Sequence, residues 1–399
     1  MPLQNNQKSE NSLVYFFMIE KVLIYLLNLL FYYLMFIVPP KKSLWVFGAW
    51  FGEKYFDNPK FLFEYIKQKN DDIQVVWITK DKSICNTVDI IYKYSFKGLY
   101  FSFFGEIYIV SHSTFSDLFP FINNKVKRVV QLWHGIPIKK IGNDDKLHVY
   151  SSLKNKVKLL IFPFFQEKYS LVIASSKSDQ MNMASAFNID ISNVKITGYP
   201  RNDIFANKLK SQDGNYKILY GPTLRNNADD EINLFDNFGF NKERIINFLE
   251  ENKIYLDIKM HPANQIDRKF KDSIQSEYIN FLESKIEIND ILKNYSLVIS
   301  DYSGLYIDFL LTNNPIIFAP FDYEKYITKD RELYYEYNEV TPGPKCKDWN
   351  EVIEWIIKFK NNSTLYVEER KKVRDRFHKY QDDKSCERVY NEIIKLDNK

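Results

Sequence analysis

The sequence predicts an α/β protein of two parallel-sheet domains, preceded by an apolar N-terminal helix. Three observations predict it. Short, β-branched apolar runs recur along the chain, each passing into turn chemistry and then a helical pattern. A polar stretch over 202–215, containing Gly214, interrupts that alternation before a fresh strand begins. At 399 residues the chain has the length of two or three domains, and its 28 Tyr and 32 Phe supply material for sizeable cores.

The first element is the segment Val22–Val38, VLIYLLNLLFYYLMFIV, broken only by Asn28 and followed by Pro39-Pro40-Lys41-Lys42. Its length is at the lower limit for spanning a bilayer, about 17 residues. Tyr32 and Tyr33 suit a headgroup boundary, and Lys41-Lys42 suits anionic lipid on the cytoplasmic side. No small-residue cleavage site follows, which argues against a secretory signal peptide. Residues 1–42 are therefore expected to associate with the cytoplasmic face of a membrane, as an interfacial helix or a short anchor. A helix buried in a domain core is the other reading of the same pattern.

Strands are expected over 44–49, 74–78, 89–92, 107–111, 128–133, 171–175 and 194–197, which together make a domain over 43–205. A second series, 217–220, 256–260, 297–300 and 315–319, makes a domain over 206–399. Helical patterns lie between the strands, as parallel β-α-β connections require.

Charge excludes one class of function. With 55 basic and 51 acidic residues the net charge is +4, without the concentrated basic excess of a nucleic-acid binder. Lys139-Lys140 with Lys154, Lys156 and Lys158 forms a local basic region, suited to phosphate or anionic lipid, or to plain solvation. Cys85, Cys346 and Cys386 lack disulfide or metal spacing, and the adjacent acidic pairs are not framed by apolar strands. There is no Walker or dinucleotide fingerprint. No cofactor is implied, no protein-bound metal is expected, and a divalent-metal requirement is left open.

Two of the five histidines stand where an apolar run meets turn chemistry: His134 in QLWHGIPIKK and His261 in IKMHP. Ends of parallel strands are where open α/β sheets place ligand chemistry, and imidazole exchanges protons near neutral pH. Two satisfied loop histidines are the other reading of the same positions. In VISDYSGLYID, from Val298, a strand runs into a polar turn and an apparent helix start. Backbone N–H groups there, with the Ser303 hydroxyl, favour phosphate, and Gly304 permits close backbone approach. A helix cap is the competing role for Ser303 and Asp301. In LYGPTLR, from Leu219, Arg225 offers a planar cation suited to diphosphate oxygens, or to a domain-packing salt bridge. GYPRND, from Gly198, places Arg201 near the domain junction, for cleft closure or a hinge contact.

Taken in order, QLWHGIPIKKIG, GYPRND, GPTLR, KMHP, SDYSGLYIDF, and Tyr334-Tyr335-Glu336-Tyr337 followed by Thr341-Pro342-Gly343-Pro344, resemble the CDP-glycerol glycerophosphotransferase family of teichoic-acid and capsule-polymer enzymes. The resemblance implies a GT-B-like arrangement of two Rossmann-like domains facing a cleft. It also implies a CDP-alditol donor, a lipid-linked or growing polymer acceptor, and attachment to the cytoplasmic membrane surface. His134 and His261 map to the essential histidines. Thr223, Arg225, Ser300, Asp301, Ser303 and Gly304 map around the donor, and Gly135, Lys139 and Arg201 are assigned to the acceptor side or cleft.

Two departures bear on donor fit: Gly304 replaces a serine common after Asp-Tyr-Ser, and Leu224 replaces an aromatic residue common before the family arginine. The expected activity is transfer of glycerol phosphate from CDP-glycerol, releasing CMP. Ribitol phosphate transfer and nucleotide-sugar glycosyl transfer are the enzymatic alternatives; a noncatalytic polymer-binding protein is the alternative of another class.

Overall fold

The computed structural model describes residues 3–69, 72–124, 127–145, 153–206, 215–223, 234–260, 268–329 and 332–397. Two parallel sheets order them. The first contains β1 (Leu44–Phe47), β2 (Gln74–Thr79), β3 (Ile90–Tyr92), β4 (Ile107–Val110), β5 (Arg128–Gln131), β6 (Leu171–Ala174) and β7 (Val194–Ile196), in the order 3-2-1-4-5-6-7. The second contains β8 (Tyr216–Gly221), β9 (Ile254–Ile258), β10 (Ile279–Phe281), β11 (Leu297–Ser300) and β12 (Ile316–Phe318), in the order 10-9-8-11-12.

Every residue of β1, β4, β6 and β11 is buried. That is the signature of parallel strands covered on both faces, and it explains their near-continuous Leu, Val and Ile content. Each sheet starts at an inner strand, grows to one side, then returns to grow on the other. The reversal falls between β1 and β4 in the first sheet and between β8 and β11 in the second. Loops leaving the carboxyl ends of such strand pairs are where open α/β sheets bind ligands.

Tertiary contacts divide the chain into two compact units: Met1–His134 with Val149–Val172 and Tyr390–Lys399, and Gly135–His148 with Ile173–Val389. In the first, Phe47 stacks on Trp77 at 6.3 Å, and Tyr390 returns from the far end of the chain to pack on Trp45 at 5.8 Å. In the second, Trp349 gathers Tyr220 and Phe235 at 5.1 and 5.8 Å. Its indole N–H donates to the Leu234 carbonyl, so this buried donor is satisfied.

The N-terminal helix, Leu3–Leu34, lies along the first unit. Tyr25 packs on Phe162 and Phe165, Phe31 on Phe103 and Phe121, and Tyr32 and Met35 are buried. Another side of the helix shows Leu23, Leu27 and Leu30 to solvent, each more than half exposed. Among the described residues no helix is long and apolar enough to cross a membrane.

Candidate functional site

His134 follows β5 in a turn built from unusual backbone. Trp133 before it has φ of +51° and Gly135 after it has φ of +126°. A residue other than glycine pays for the left-handed region with steric strain, so the surroundings must hold Trp133 there. They do so twice. The Gln131 side chain folds over the turn, donating to the His112 carbonyl at 2.7 Å and accepting the Trp133 N–H at 2.9 Å. Asn58, fully buried, donates to the carbonyls of Leu132 and Trp133 at 3.1 and 3.0 Å.

The ring of His134 is oriented by its own contact. Nδ1 lies 3.1 Å from the Ser111 carbonyl oxygen. A carbonyl only accepts, so Nδ1 carries the hydrogen and Nε2 carries the lone pair of the neutral ring.

Ser111 and His112 follow β4, next to β5 in the sheet. The His112 ring lies parallel to that of His134, 4.3 Å between centroids and 13° between planes. Phe51 packs against His112 at 4.5 Å, and Trp50 contacts both histidines at 5.2 and 6.2 Å. Burial in this aromatic setting lowers the His112 pKa to about 4, with the nearby Asp57 charge opposing the shift.

Asp117 knits these loops together. One carboxylate oxygen accepts the Phe51 N–H at 2.8 Å, and the other accepts the N–H groups of Ser111 and His112 at 2.9 and 2.8 Å. Burial still pushes the Asp117 pKa upward against these bonds. Trp50, Phe51 and Asp57 all adopt positive φ, so unusual backbone is concentrated after β1 as well as after β5.

In the second unit, β8, β9 and β11 end side by side, with Tyr220 opposite Ile258 and Gly221 opposite Ser300. Thr223 and Asp301 leave this edge and meet. The Asp301 carboxylate accepts the Thr223 N–H at 2.9 Å, the Thr223 hydroxyl at 2.7 Å and the Tyr302 N–H at 2.6 Å. Ser300 is buried, and its hydroxyl has no partner among the described residues. Ser303 accepts the Leu305 N–H at 3.3 Å, as a cap does. Gly304 stands where an added Cβ would come 3.0 Å from the Ile136 carbonyl oxygen.

Arg225 and His261 lie outside the described residues, as do the side chains of Lys154 and Lys156. By chain order, Arg225 follows β8 and His261 follows β9.

Arg201 is buried in an ion pair with Asp308, whose other oxygen accepts from the Asn202 amide at 2.9 Å. Its guanidinium fills the space that a side chain at Gly135 would need. Lys139 bridges to Leu333 through the backbone and lies 5.9 Å from the Tyr326 ring, while Lys140 pairs with Glu332. The second unit thus brings together Gly135 with Arg201, and Thr223 with Asp301. Among the described residues no group of three or more His, Cys, Asp or Glu side chains is placed to hold a metal ion.

Sequence reasoning passed over Trp50, Phe51, Asn58, His112 and Asp117. One signal was available: His112 follows an apolar strand directly, the criterion that singles out His134.

A family model described as CDP-Glycerol:Poly(glycerophosphate) glycerophosphotransferase matches residues 30–395. A teichoic acid poly(glycerol phosphate) polymerase of Bacillus spizizenii is 29% identical over 351 residues, covering 81% of this chain and 85% of the relative. A teichoic acid glycerol-phosphate transferase of Staphylococcus aureus is 24% identical, covering 89% and 94%. The solved structure of the wall teichoic acid polymerase TagF superposes with a TM-score of 0.72 at 20% identity, covering 89% of each chain, and shows the same GT-B-like, two-sheet α/β fold.

Proposed function

The chain belongs to the CDP-glycerol:poly(glycerophosphate) glycerophosphotransferase family, and on that premise we propose that it transfers glycerol phosphate from CDP-glycerol to a hydroxyl of a lipid-linked or growing cell-surface polymer. One observation carries the mechanism. The Ser111 carbonyl holds the Nδ1 hydrogen of His134, so Nε2 is the basic nitrogen. It takes the proton of the acceptor hydroxyl as that oxygen bonds to the donor's glycerol-bearing phosphorus. The bond from this phosphorus to the oxygen shared with the cytidylate phosphate breaks, and CMP leaves with the electron pair. The proton then passes from His134 to solvent, and the product is a phosphodiester.

Phosphoryl transfer depends on positioning and charge stabilisation more than on covalent help from the protein. In this reading the edge formed by β8, β9 and β11 receives the donor. Thr223, Ser300, Asp301, Ser303 and Gly304 shape its wall, and Arg225 and His261 meet diphosphate charge. The Thr223–Asp301 bonds set the loop course rather than offering Asp301 as a base.

The enzyme works at the cytoplasmic face of the membrane, in keeping with a lipid-linked acceptor. Supporting this, the N-terminal helix fixes Tyr25 and Tyr32 against the protein, as the following turn does Met35, and leaves an apolar side outward. Leu160, from the helix Leu153–Ile161, is 83% exposed, and the adjoining Phe162 packs on Tyr25. A helix held by its own domain along one side suits the interfacial plane better than a span.

The deciding experiment is CMP release by the purified chain with CDP-glycerol, with and without a lipid-linked acceptor, followed by product mass. Acceptor-dependent CMP and products heavier by glycerol phosphate units are expected. Turnover only with CDP-ribitol or a nucleotide sugar would overturn the donor assignment, and donor binding without CMP release would overturn the transferase reading.

A further inference from the structure

We infer that His112 is a positioning residue for His134, its ring fixing the plane in which His134 presents Nε2 and supplying a neutral aromatic face to the imidazolium formed when the proton arrives. The inference rests on the reading of His134 as the base, and it adds a residue that this reading does not contain.

Three contacts carry it. The two rings are nearly parallel at a centroid distance of 4.3 Å. The His112 backbone is tied to the strand end by its N–H to Asp117 and by its carbonyl, which accepts from Gln131. Its Nδ1 shares a 2.9 Å hydrogen bond with the Ser111 hydroxyl, while the Ser111 carbonyl orients His134. One dipeptide, Ser111-His112, therefore sets both the edge and the face of the His134 ring. A ring fixed at one nitrogen can still rotate about that bond; a second surface parallel to it removes this freedom.

The electrostatics agree. Two imidazolium rings at stacking distance would repel strongly, so the pair functions only if one member stays neutral. His112 does so across the physiological range, because burial holds its pKa at about 4. The ionisable groups facing it are Asp57, Asp117 at 4.0 Å from Nδ1, and His134 itself. A neutral π-face is attractive to a cation, as Trp133 is from its place 4.1 Å from the same ring. The second histidine is thus a wall rather than a second base.

The test compares His112→Ala and His112→Phe in the full chain, by steady-state CMP release across pH and by NMR titration of labelled histidines. Small misplacements of reacting groups cost about 10²-fold in rate. His112→Ala should lower kcat about 10- to 100-fold with the KM for CDP-glycerol within about twofold, and should move the His134 titration. His112→Phe, which restores a flat ring, should recover kcat to within about threefold and return the titration towards wild type. Wild-type turnover in His112→Ala, or equal loss in both variants, would overturn the inference. An unmoved His134 titration in a folded His112→Ala protein would also overturn it, without reference to turnover. The base reading fails separately, if His134→Ala retains activity.

Discussion

The side-chain amide of Asn58 donates to the carbonyl oxygen of Trp133 at 3.0 Å, and so pins from outside the strand the one residue of the turn around His134 that adopts a left-handed backbone without being glycine. The same amide nitrogen reaches the Leu132 carbonyl. Asn58→Leu removes these donors and leaves two carbonyls to find other partners. A loss of about 2 kcal/mol in stability is expected, as for other unsatisfied buried polar groups. Turnover should fall more than this alone would cause, about 10²-fold, because His134 shifts with the turn. Thermal melting and CMP release on one preparation separate the two effects.

His134→Gln keeps an amide that can donate to the Ser111 carbonyl and removes the basic nitrogen. Loss of a general base lowers turnover about 10²- to 10⁴-fold. Binding of CDP-glycerol, measured by calorimetry, should stay within about threefold of wild type. Near-normal turnover would remove His134 from the mechanism.

Burial of His112 makes stability depend on pH in a definite direction. Its pKa falls from 6.5 in the unfolded chain to about 4 in the native protein. Between those values the unfolded state holds a proton that the folded state lacks, so stability falls as pH drops from 6.5 towards 4 and is insensitive to this group above 6.5. The full difference is about 3 kcal/mol. His112→Phe should therefore lose less stability than wild type on acidification, with the two stability–pH curves running parallel above neutrality. Parallel curves throughout would contradict the assignment.

The Arg201–Asp308 pair is buried, so breaking one side should be worse than removing both. Arg201→Met or Asp308→Leu alone leaves a charge in a dry site and should cost about 3–5 kcal/mol. The double variant should recover much of that loss in urea denaturation. Recovery of stability without activity would show that the pair also shapes the turn at Gly135, which the Arg201 guanidinium abuts.

Acidic substitutions on the outward side of the N-terminal helix test the membrane reading. Leu23→Glu with Leu27→Glu leaves the inward contacts of Tyr25 and Tyr32 intact. The protein should move from the membrane pellet to the supernatant in cell fractionation, with its melting temperature changed by no more than about 2 °C. Retention in the pellet would point to attachment elsewhere.

Much of this was legible because parallel strands announce themselves. Leu44–Phe47 is an uninterrupted apolar run and Leu297–Ser300 is apolar up to its last residue, both buried on both faces and bounded by turn residues. Ile279–Phe281 escaped notice for the opposite reason. It is a three-residue edge strand with an exposed central asparagine, too short to impose a pattern. His134 was visible from its own neighbours. Asp117 was not, because its meaning depends on Phe51, 66 positions earlier, whose N–H it accepts. Local sequence records which residues end a strand; it does not record which loops will share a carboxylate.

That sharing limits how the protein can change. Because Asp117 takes backbone hydrogens from Phe51, Ser111 and His112, the loops after β1 and β4 cannot be exchanged independently with those of another chain. A graft that brings Trp50 and Phe51 from a relative without the matching 111–117 segment strands either a carboxylate or its donors in the interior. Exchanging this part of the fold by recombination therefore requires moving the two loops as one cassette, although 53 residues of strand, helix and turn separate Asp57 from Ser111 in the chain.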